Sequence, residues 1–226
     1  MEYNQNLSYA AVVVADFDRT LSKYKHNGHV CATCHNVLEE GGLPGEYKEQ
    51  AYKIRDKYFP IETDPNLTIE EKTPYMVEWW TKAHALLEKY PLSKEMLHSM
   101  VAKSTAKLSD IPLLVFSAGV GDIIREVIAQ NSHMYDNMHN EHAVHDSDYF
   151  HNLSHRTNLL LMGDSLGDLQ MANGAENVEA KLTIGFLNLR VEESLELYKS
   201  RYDIVICEDE TMDVVNAIVN KILCIG

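Results

Sequence analysis

The sequence lacks the long apolar run and the basic surplus that membrane or nucleic-acid binding requires. No apolar run approaches the roughly 20 residues of a membrane-spanning helix, and residues 1–6 are too polar for a signal peptide. Lys and Arg total 20 against 34 Asp and Glu, which gives a net charge of -14. Because binding to a phosphate backbone needs a basic surface, this balance argues against nucleic-acid polymers. We therefore expect a cytoplasmic protein without a membrane partner. We also expect it to be a monomer.

Cysteines are also scarce, and only two of the four lie close together. Cys31, Cys34 and His35 match the C-x-x-C-H spacing of covalent haem attachment. That attachment normally occurs in exported proteins, and a single C-x-x-C pair supplies only half of a zinc site. Without a second pair, the favoured interpretation is a loop that carries reduced, partly buried thiols.

Residues 131–157 lack β-branched aliphatic residues almost completely, so no strand is predicted there. This segment contains six of the eleven histidines, which are His133, His139, His142, His145, His151 and His155. A histidine cluster can bind a transition metal. Their irregular spacing among Asn, Asp and Ser favours a solvated loop instead.

Three apolar runs do end in residues that can carry chemistry. Residues 10–15 are typical of a buried parallel strand and lead into Asp16 and Asp18; residues 158–163 lead into Asp164 and Asp168. Residues 111–116 lead into Ser117, where a phosphate cradle or an ordinary helix cap is possible. The carboxyl ends of parallel strands share one sheet edge, so these groups are expected to converge. Neighbouring carboxylates repel each other unless a cation intervenes, and Mg²⁺ prefers oxygen ligands.

The remaining pattern predicts an α/β fold with a helical insertion. Helices are predicted at 45–58, where Pro60 ends the helix, from Thr73 to about residue 90, and from Ser93 to about residue 108. Residues 68–71 also show a capping-box pattern. Strands at 183–187 and 203–207 and helices at 121–130, 191–201 and 211–223 complete a doubly wound parallel sheet. We assign residues 1–24 and 109–226 to a catalytic core and residues 25–108 to a helical cap.

The three strand ends together meet the needs of phosphoryl transfer. One carboxylate can attack phosphorus, and a second can protonate the leaving alkoxide and later activate water. A magnesium ion between the first aspartate and a later one offsets the charge of nucleophile and phosphate. A serine hydroxyl and the backbone amides that follow it can hold the other phosphate oxygens.

The motif order D-F-D-x-T, F-S-A-G and G-D-S-x-x-D resembles the haloacid dehalogenase superfamily of phosphatases. Segments 31–36, 61–65, 70–84, 116–122 and 162–174 are similar to the cytosolic 5'-nucleotidase III family. This resemblance implies a haloacid dehalogenase-like fold with a cap inserted after the first strand, and hydrolysis of nucleoside 5'-monophosphates through an aspartyl-phosphate. It implies that Asp16 is the nucleophile and Asp18 the general acid and base. Ser117 and Ala118 would contact the phosphate, and Glu62 would face the nucleobase from the cap. Mg²⁺ would be held by Asp16, the Asp18 backbone carbonyl and Asp164, with Asp168 supporting them.

The family includes enzymes for pyrimidine monophosphates such as CMP and a branch that prefers 7-methylguanosine monophosphate. This chain resembles the second branch in its adjacent Trp79 and Trp80. A methylated guanine is cationic and stacks well on indole. Trp80 is therefore the expected stacking residue and Glu62 the complementary anion, whereas core packing is the preferred role of Trp79.

The chain departs from the family pattern after Lys107. Family members have a phosphate-binding lysine ahead of the G-D-S strand, but no lysine lies between Lys107 and Lys181, and the corresponding position falls near His139. Family members also carry more chain here, so the sheet is expected to lack one edge strand. Two hypotheses follow: a Mg²⁺-dependent 5'-nucleotidase with reduced activity, or a shortened, impaired member that binds nucleotide or a partner without efficient turnover.

Overall fold

The computed structural model describes residues 11–106, 114–116, 123–124, 127, 138–139, 157–173, 175, 177–209 and 211–224. Its strands are β1 (Ala11–Ala15), β2 (Lys25–His26), β3 (His29–Val30), β4 (Leu114–Phe116), β5 (Met138–His139), β6 (Asn158–Gly163), β7 (Ala180–Leu187) and β8 (Ile204–Cys207). Its longer helices are α1 (Cys34–Glu40), α2 (Gly45–Glu62), α3 (Ile69–Leu87), α4 (Lys94–Lys103), α5 (Val191–Lys199) and α6 (Asp213–Cys224).

Six strands form one parallel sheet in the order β5-β4-β1-β6-β7-β8, while β2 and β3 form a separate antiparallel hairpin. Strand β1 lies inside the sheet, between β4 and β6, with Ala15 in register with Val115 and Met162. Val14 and Ala15 are fully buried, as expected for a strand covered on both faces. This confirms the predicted α/β class with a parallel sheet.

One edge of the sheet corrects a prediction. No strand was expected between residues 131 and 157, yet Met138–His139 pairs parallel with β4, with His139 opposite Phe116. This edge therefore ends in a strand of two residues rather than in none. Such a strand is too short for a sequence pattern to reveal, because its pairing depends on the backbone groups that β4 leaves open.

Two helix boundaries also differ from prediction. Helix α2 continues past Pro60 to Glu62, since Thr63 closes its end by donating from both its amide and its hydroxyl to the Phe59 carbonyl at 3.0 Å. A proline this close to the end of a helix removes only one late hydrogen bond. Helix α3 starts at Ile69 instead of near Thr73, because the capping box between Thr68 and Glu71 is formed.

The segment around the C-x-x-C pair is helical, which the sequence analysis missed. Thr33 caps α1 through a reciprocal capping box with Asn36, so Cys34 is the first helical residue and not a loop residue. Cys31 and Cys34 are both buried, reduced thiols. The interpretation as reduced, buried thiols is confirmed, but their placement in a loop is wrong for Cys34.

The insertion between β1 and β4 contains α1 to α4, and part of it packs directly on the sheet. Val37 and Leu38 of α1, and Met100 and Val101 of α4, join the same buried cluster as Ala15 at the end of β1. Ser93 caps α4, as predicted. The exact division into core and cap stays a prediction. Among the described helices, none combines the length and the hydropathy needed to cross a bilayer.

Candidate active site

The end of β1 holds the first pair of acidic residues in a tight turn. Asp16 follows the last residue of β1, and its amide donates to the Met162 carbonyl at 3.0 Å, which ties the end of β1 to the end of β6. The next residues, Phe17–Leu21, form a turn that departs from helical geometry at Asp18 and Arg19, and Phe17 is buried. Asp16 and Asp18 therefore come directly after the buried part of β1, at the carboxyl end of the sheet.

The end of β6 holds the second pair. Asp164 directly follows this strand, and Asp168 lies in the short helical segment Leu166–Ala172. One carboxylate oxygen of Asp168 accepts from the Ser165 amide at 2.8 Å, so the loop fixes the direction of that carboxylate. The sequence analysis expected both acids at the end of this strand.

Two tyrosines donate hydrogen bonds to the backbone of this loop. The Tyr198 hydroxyl donates to the Asp164 carbonyl at 2.7 Å, and the Tyr202 hydroxyl donates to the Ser165 carbonyl at 2.5 Å. Their rings stack with centroids 5.7 Å apart. The sequence analysis missed both residues; the only signal is their four-residue spacing in and just beyond α5, which is also typical of ordinary core packing.

The two strand ends bring three carboxylates into one small volume. One oxygen from each of Asp16, Asp164 and Asp168 lies within 4.8 Å of the others. Asp16 and Asp164 meet as expected, and an oxygen of Asp168 lies in the same group, while its supporting role stays a prediction. The Asp18 carboxylate turns aside, since its Oδ1 accepts from the Cys34 amide at 2.9 Å. Oxygen donors at this separation fit a hard divalent cation.

The electrostatics of the carboxylate group support the same fit. The pKa of Asp16 is raised well above 3.8, first because burial disfavours its charged form and then because Asp168, Asp164 and Asp18 repel that charge. The pKa of Asp164 is raised by burial and then by Asp168. Neighbouring anions in a desolvated site are stabilised by a cation, so the donor set and its charge both match a metal ion.

Asp18 has a different environment. Burial raises its pKa, and the hydrogen bond from the Cys34 amide is the largest opposing effect. Burial and then Asp18 raise the pKa of the Cys34 thiol, which disfavours the thiolate that zinc or haem chemistry would need. The N-terminal residue of α1 thus holds the Asp18 carboxylate in place, a role that sequence spacing could not indicate.

Glu62 approaches this group from the inserted helices. It is the last residue of α2, and although the residue is exposed by area, protein atoms around its carboxyl raise its pKa. Arg19 is the largest opposing influence on the Glu62 pKa. Glu62 in turn contributes to the raised pKa of Asp164. The predicted base-binding residue therefore lies within electrostatic reach of the sheet carboxylates.

The other predicted site residues have different outcomes. Trp79 stacks on the buried Tyr58 with centroids 5.9 Å apart, in agreement with a packing role. Trp80, the next residue of α3, is half-buried. Ser117 and Ala118 lie outside the described residues, as does most of the histidine-rich segment.

Gly163 is expected to be essential for this geometry. A Cβ atom there would overlap the Cβ and the carboxylate of Asp168, whereas a Cβ at Gly167 would meet only Ser165 Oγ at 3.4 Å. We expect Gly163→Ala to weaken the affinity for a divalent cation about 10-fold to 100-fold, the usual effect of disturbing the support of a metal ligand. Gly167→Ala is the matched control. Calorimetric titration with Mg²⁺ measures both, and equal affinities for the two variants would contradict this prediction.

A parallel α/β sheet with a helical insertion after its first strand, and with carboxylates at the ends of adjacent strands, defines a haloacid dehalogenase-like hydrolase fold. The chain resembles the solved structure of cytosolic 5'-nucleotidase IIIB bound to cytidine, with a TM-score of 0.77, 29% identity, and coverage of 95% of this chain and 85% of that one. The chain belongs to the pyrimidine 5'-nucleotidase (UMPH-1) family, whose model matches residues 19–139 and 138–223.

Its curated relatives include the 7-methylguanosine phosphate-specific 5'-nucleotidases of mouse (Mus musculus, 38% identical) and human (Homo sapiens, 39% identical). Each alignment covers 95% of this chain and 85% of the relative. These alignments span 255 residues, more than the 226 of this chain. The relatives therefore have positions without a counterpart here, and the two matched segments of the family model meet at residues 138–139.

Proposed function

We propose that this protein is a Mg²⁺-dependent 5'-nucleotidase that hydrolyses a nucleoside 5'-monophosphate to nucleoside and phosphate. The observation that carries the proposal is the convergence of Asp16, Asp164 and Asp168 at the ends of β1 and β6, in a member of a 5'-nucleotidase family. When bound by Asp16, the Asp18 backbone carbonyl and Asp164, with Asp168 beside them, Mg²⁺ would offset negative charge on nucleophile and phosphate.

In the proposed reaction the residues of the chain divide the work. A carboxylate oxygen of Asp16 forms a bond to phosphorus, the ester bond to the 5'-oxygen breaks, and Asp18 gives its proton to that oxygen. Asp18 then takes a proton from water, which attacks phosphorus and releases Asp16 and inorganic phosphate. The raised pKa of Asp18 favours the protonated form needed first, and the Cys34 amide holds the carboxyl in position. Ser117 and Ala118 are proposed to bind the other phosphate oxygens.

For the base, we propose 7-methylguanosine monophosphate, pyrimidine monophosphates such as CMP, or both. Relatives at 38–39% identity are named for the first substrate, and the similar solved structure is bound to cytidine. In this chain Glu62 would face the base, and Trp80 on α3 would stack against it. A carboxylate and an indole together suit a cationic methylated purine, since both attract positive charge.

Phosphate release from 7-methylguanosine monophosphate, CMP and UMP, with Mg²⁺ and with a chelator in its place, tests the activity. We expect release that depends on Mg²⁺, with 7-methylguanosine monophosphate or CMP as the better substrate. Equal release in the chelator would remove the metal from the proposal. No release from any of the three would remove the nucleotidase activity.

Trp80→Ala tests the base assignment separately. Loss of a stacking contact with a cationic base is worth about 0.5–2 kcal/mol, so we expect kcat/KM for the methylated purine to fall about 2-fold to 30-fold relative to CMP. Trp80→Phe keeps an aromatic face and serves as the matched control. A uniform loss on both substrates would show that Trp80 acts through packing.

A second candidate function is nucleotide or partner binding without efficient turnover. The observation that favours it is the missing lysine between Lys107 and Lys181, at a site where removal of one phosphate donor costs about 100-fold to 1,000-fold in rate. Saturable binding of CMP or 7-methylguanosine monophosphate without phosphate release would support this alternative. A cytoplasmic location and a monomeric state stay predictions.

A further inference from the structure

The proposed substrate is an anion, yet the described part of its site is strongly acidic. Asp16, Asp164 and Asp168 share one volume, Asp18 lies beside them, and Glu62 acts on Asp164 from α2. A single divalent ion cannot balance all of these carboxylates and a phosphate monoester as well. Because like charges repel strongly in a poorly solvated site, the phosphate needs a fixed positive group from the protein.

Arg19 has a backbone that is fixed at this site. It follows Asp18 directly and adopts a left-handed conformation with φ of 62°, which residues other than glycine rarely adopt. Its amide donates to Ser22 Oγ at 3.0 Å, and its carbonyl accepts from Asn188 Nδ2 at 3.5 Å. Ser22 and Asn188 are both buried. These bonds hold the backbone of Arg19 in the turn beside Asp18.

The side chain of Arg19 reaches toward the inserted helices. Its guanidinium carbon lies 5.9 Å from the centroid of the Phe59 ring, and Phe59 precedes Glu62 by one turn of α2. The guanidinium thus lies where the acidic turn after β1 faces the end of α2. Arg19 itself belongs to the turn that carries Asp18, and its positive charge opposes the rise that burial causes in the pKa of Glu62 at the end of α2, so the guanidinium lies within electrostatic reach of both segments.

Among the described residues, Lys72 and Arg190 also lie near the end of α2, but their hydrogen bonds hold them to its backbone. Lys72 Nζ donates to the Glu62 carbonyl at 2.7 Å. Arg190 donates from Nη1 to the Thr63 carbonyl at 2.8 Å and pairs with Glu193. Both therefore stabilise the end of α2 through its backbone, whereas Arg19 lies beside the acidic turn itself.

We propose that Arg19 is a phosphate-binding residue of this site, whose guanidinium donates hydrogen bonds to the phosphate oxygens of the nucleoside monophosphate. A planar guanidinium presents paired N–H donors that match two phosphate oxygens. This inference rests on the proposed function. It also assigns a cation to a chain that has no lysine between Lys107 and Lys181, although Arg19 lies far from that segment in sequence.

The test compares Arg19→Met, Arg19→Asn and Arg19→Lys with the wild-type protein at saturating Mg²⁺. Met and Asn both remove the charge, and Asn tolerates a positive φ best, so a loss shared by both does not come from a distorted turn. Lys181→Met is the matched control. Lys181 is exposed near the amino end of β7, whereas the carboxylates lie at the carboxyl ends of the parallel strands. Binding of inorganic phosphate is measured by calorimetric titration, and kcat/KM is measured on CMP.

We expect Arg19→Met and Arg19→Asn to weaken phosphate binding at least 10-fold and to lower kcat/KM about 100-fold to 1,000-fold. Arg19→Lys should recover part of both losses, and Lys181→Met should change neither. Phosphate affinity within 2-fold of the wild type in both neutral variants would overturn the proposal. A change confined to the preference between 7-methylguanosine monophosphate and CMP would do so too, because Arg19 would then act only on Glu62.

The titration also separates this inference from the proposed function. If the wild-type protein binds phosphate in an Arg19-dependent way but releases none from any monophosphate, the nucleotidase activity fails and the assignment of Arg19 stands. If the wild-type protein does not bind phosphate, the assignment of Arg19 fails, whatever the hydrolysis assay gives.

Discussion

Asp16→Asn should abolish phosphate release and, in the absence of metal, make the protein more stable. The substitution removes the proposed nucleophile, a change that typically costs about 10,000-fold or more in kcat. It also removes a buried negative charge that Asp168, Asp164 and Asp18 repel. Loss of function with a gain in stability is a signature that general damage to the fold would not give.

Phosphate release and thermal unfolding in a chelator measure the two effects. Asp56→Asn is the matched control, because Asp56 is an exposed carboxylate on α2 that pairs with the neighbouring Arg55. It should keep full activity and an unchanged midpoint. If Asp16→Asn kept more than about one hundredth of the activity, far above the residual level expected without a nucleophile, Asp16 would not be the attacking group.

The second large effect concerns pH and Mg²⁺ together. The pKa values of Asp16, Asp18 and Asp164 are all raised above 3.8, first by burial. Their native forms therefore bind protons more tightly than the unfolded chain does. The stability associated with these groups is fully present below pH 3.8 and is lost as the pH rises through each raised native pKa. The metal-free site is therefore at its least stable above these raised native pKa values.

Bound Mg²⁺ should reverse that loss where the carboxylates are ionised. At 100 times its dissociation constant, a ligand stabilises the native state by about 2.7 kcal/mol, or roughly 5–10 °C in the unfolding midpoint of a chain of this size. We expect a larger gain at pH 7.5 than at pH 5, because protons compete with the metal more strongly at the lower pH. Asp164→Asn should remove most of it. An equal gain at both pH values in the wild type would contradict a site made of carboxylates with raised pKa values.

Local patterns were sufficient for much of the fold. The apolar runs that end at Asp16 and at Asp164 predicted strands of one parallel sheet, and the structure shows in addition that these two strands pair with each other. Ser93 predicted the start of α4 because an N-cap depends only on the residues beside it. The prediction that Pro60 ends α2 was wrong. It considered the proline alone and left out Thr63, whose hydrogen bond to the Phe59 carbonyl closes the helix after Glu62.

The support of the site was not predictable in this way. Tyr198 and Tyr202 bond to carbonyls 34 and 37 residues earlier, and Cys34 bonds to Asp18 16 residues away. Sequence reasoning looked for a phosphate-binding cation between residues 107 and 181, whereas the cation that we propose for this role, Arg19, lies directly beside Asp18. Such contacts depend on how distant segments pack, and many buried tyrosines with the same spacing serve only the core.

By itself the sequence determined which residues could react: acidic side chains at the ends of apolar strands, at positions where a parallel sheet must collect them. Only the tertiary structure decided the direction in which each of these side chains points. It turned Asp168 toward Asp16 and Asp164, turned the Asp18 carboxylate toward α1, and set Arg19 against Phe59. The physical reason is that strand polarity follows from local apolar pattern, whereas the direction of each carboxylate depends on hydrogen bonds and charges supplied by remote parts of the chain.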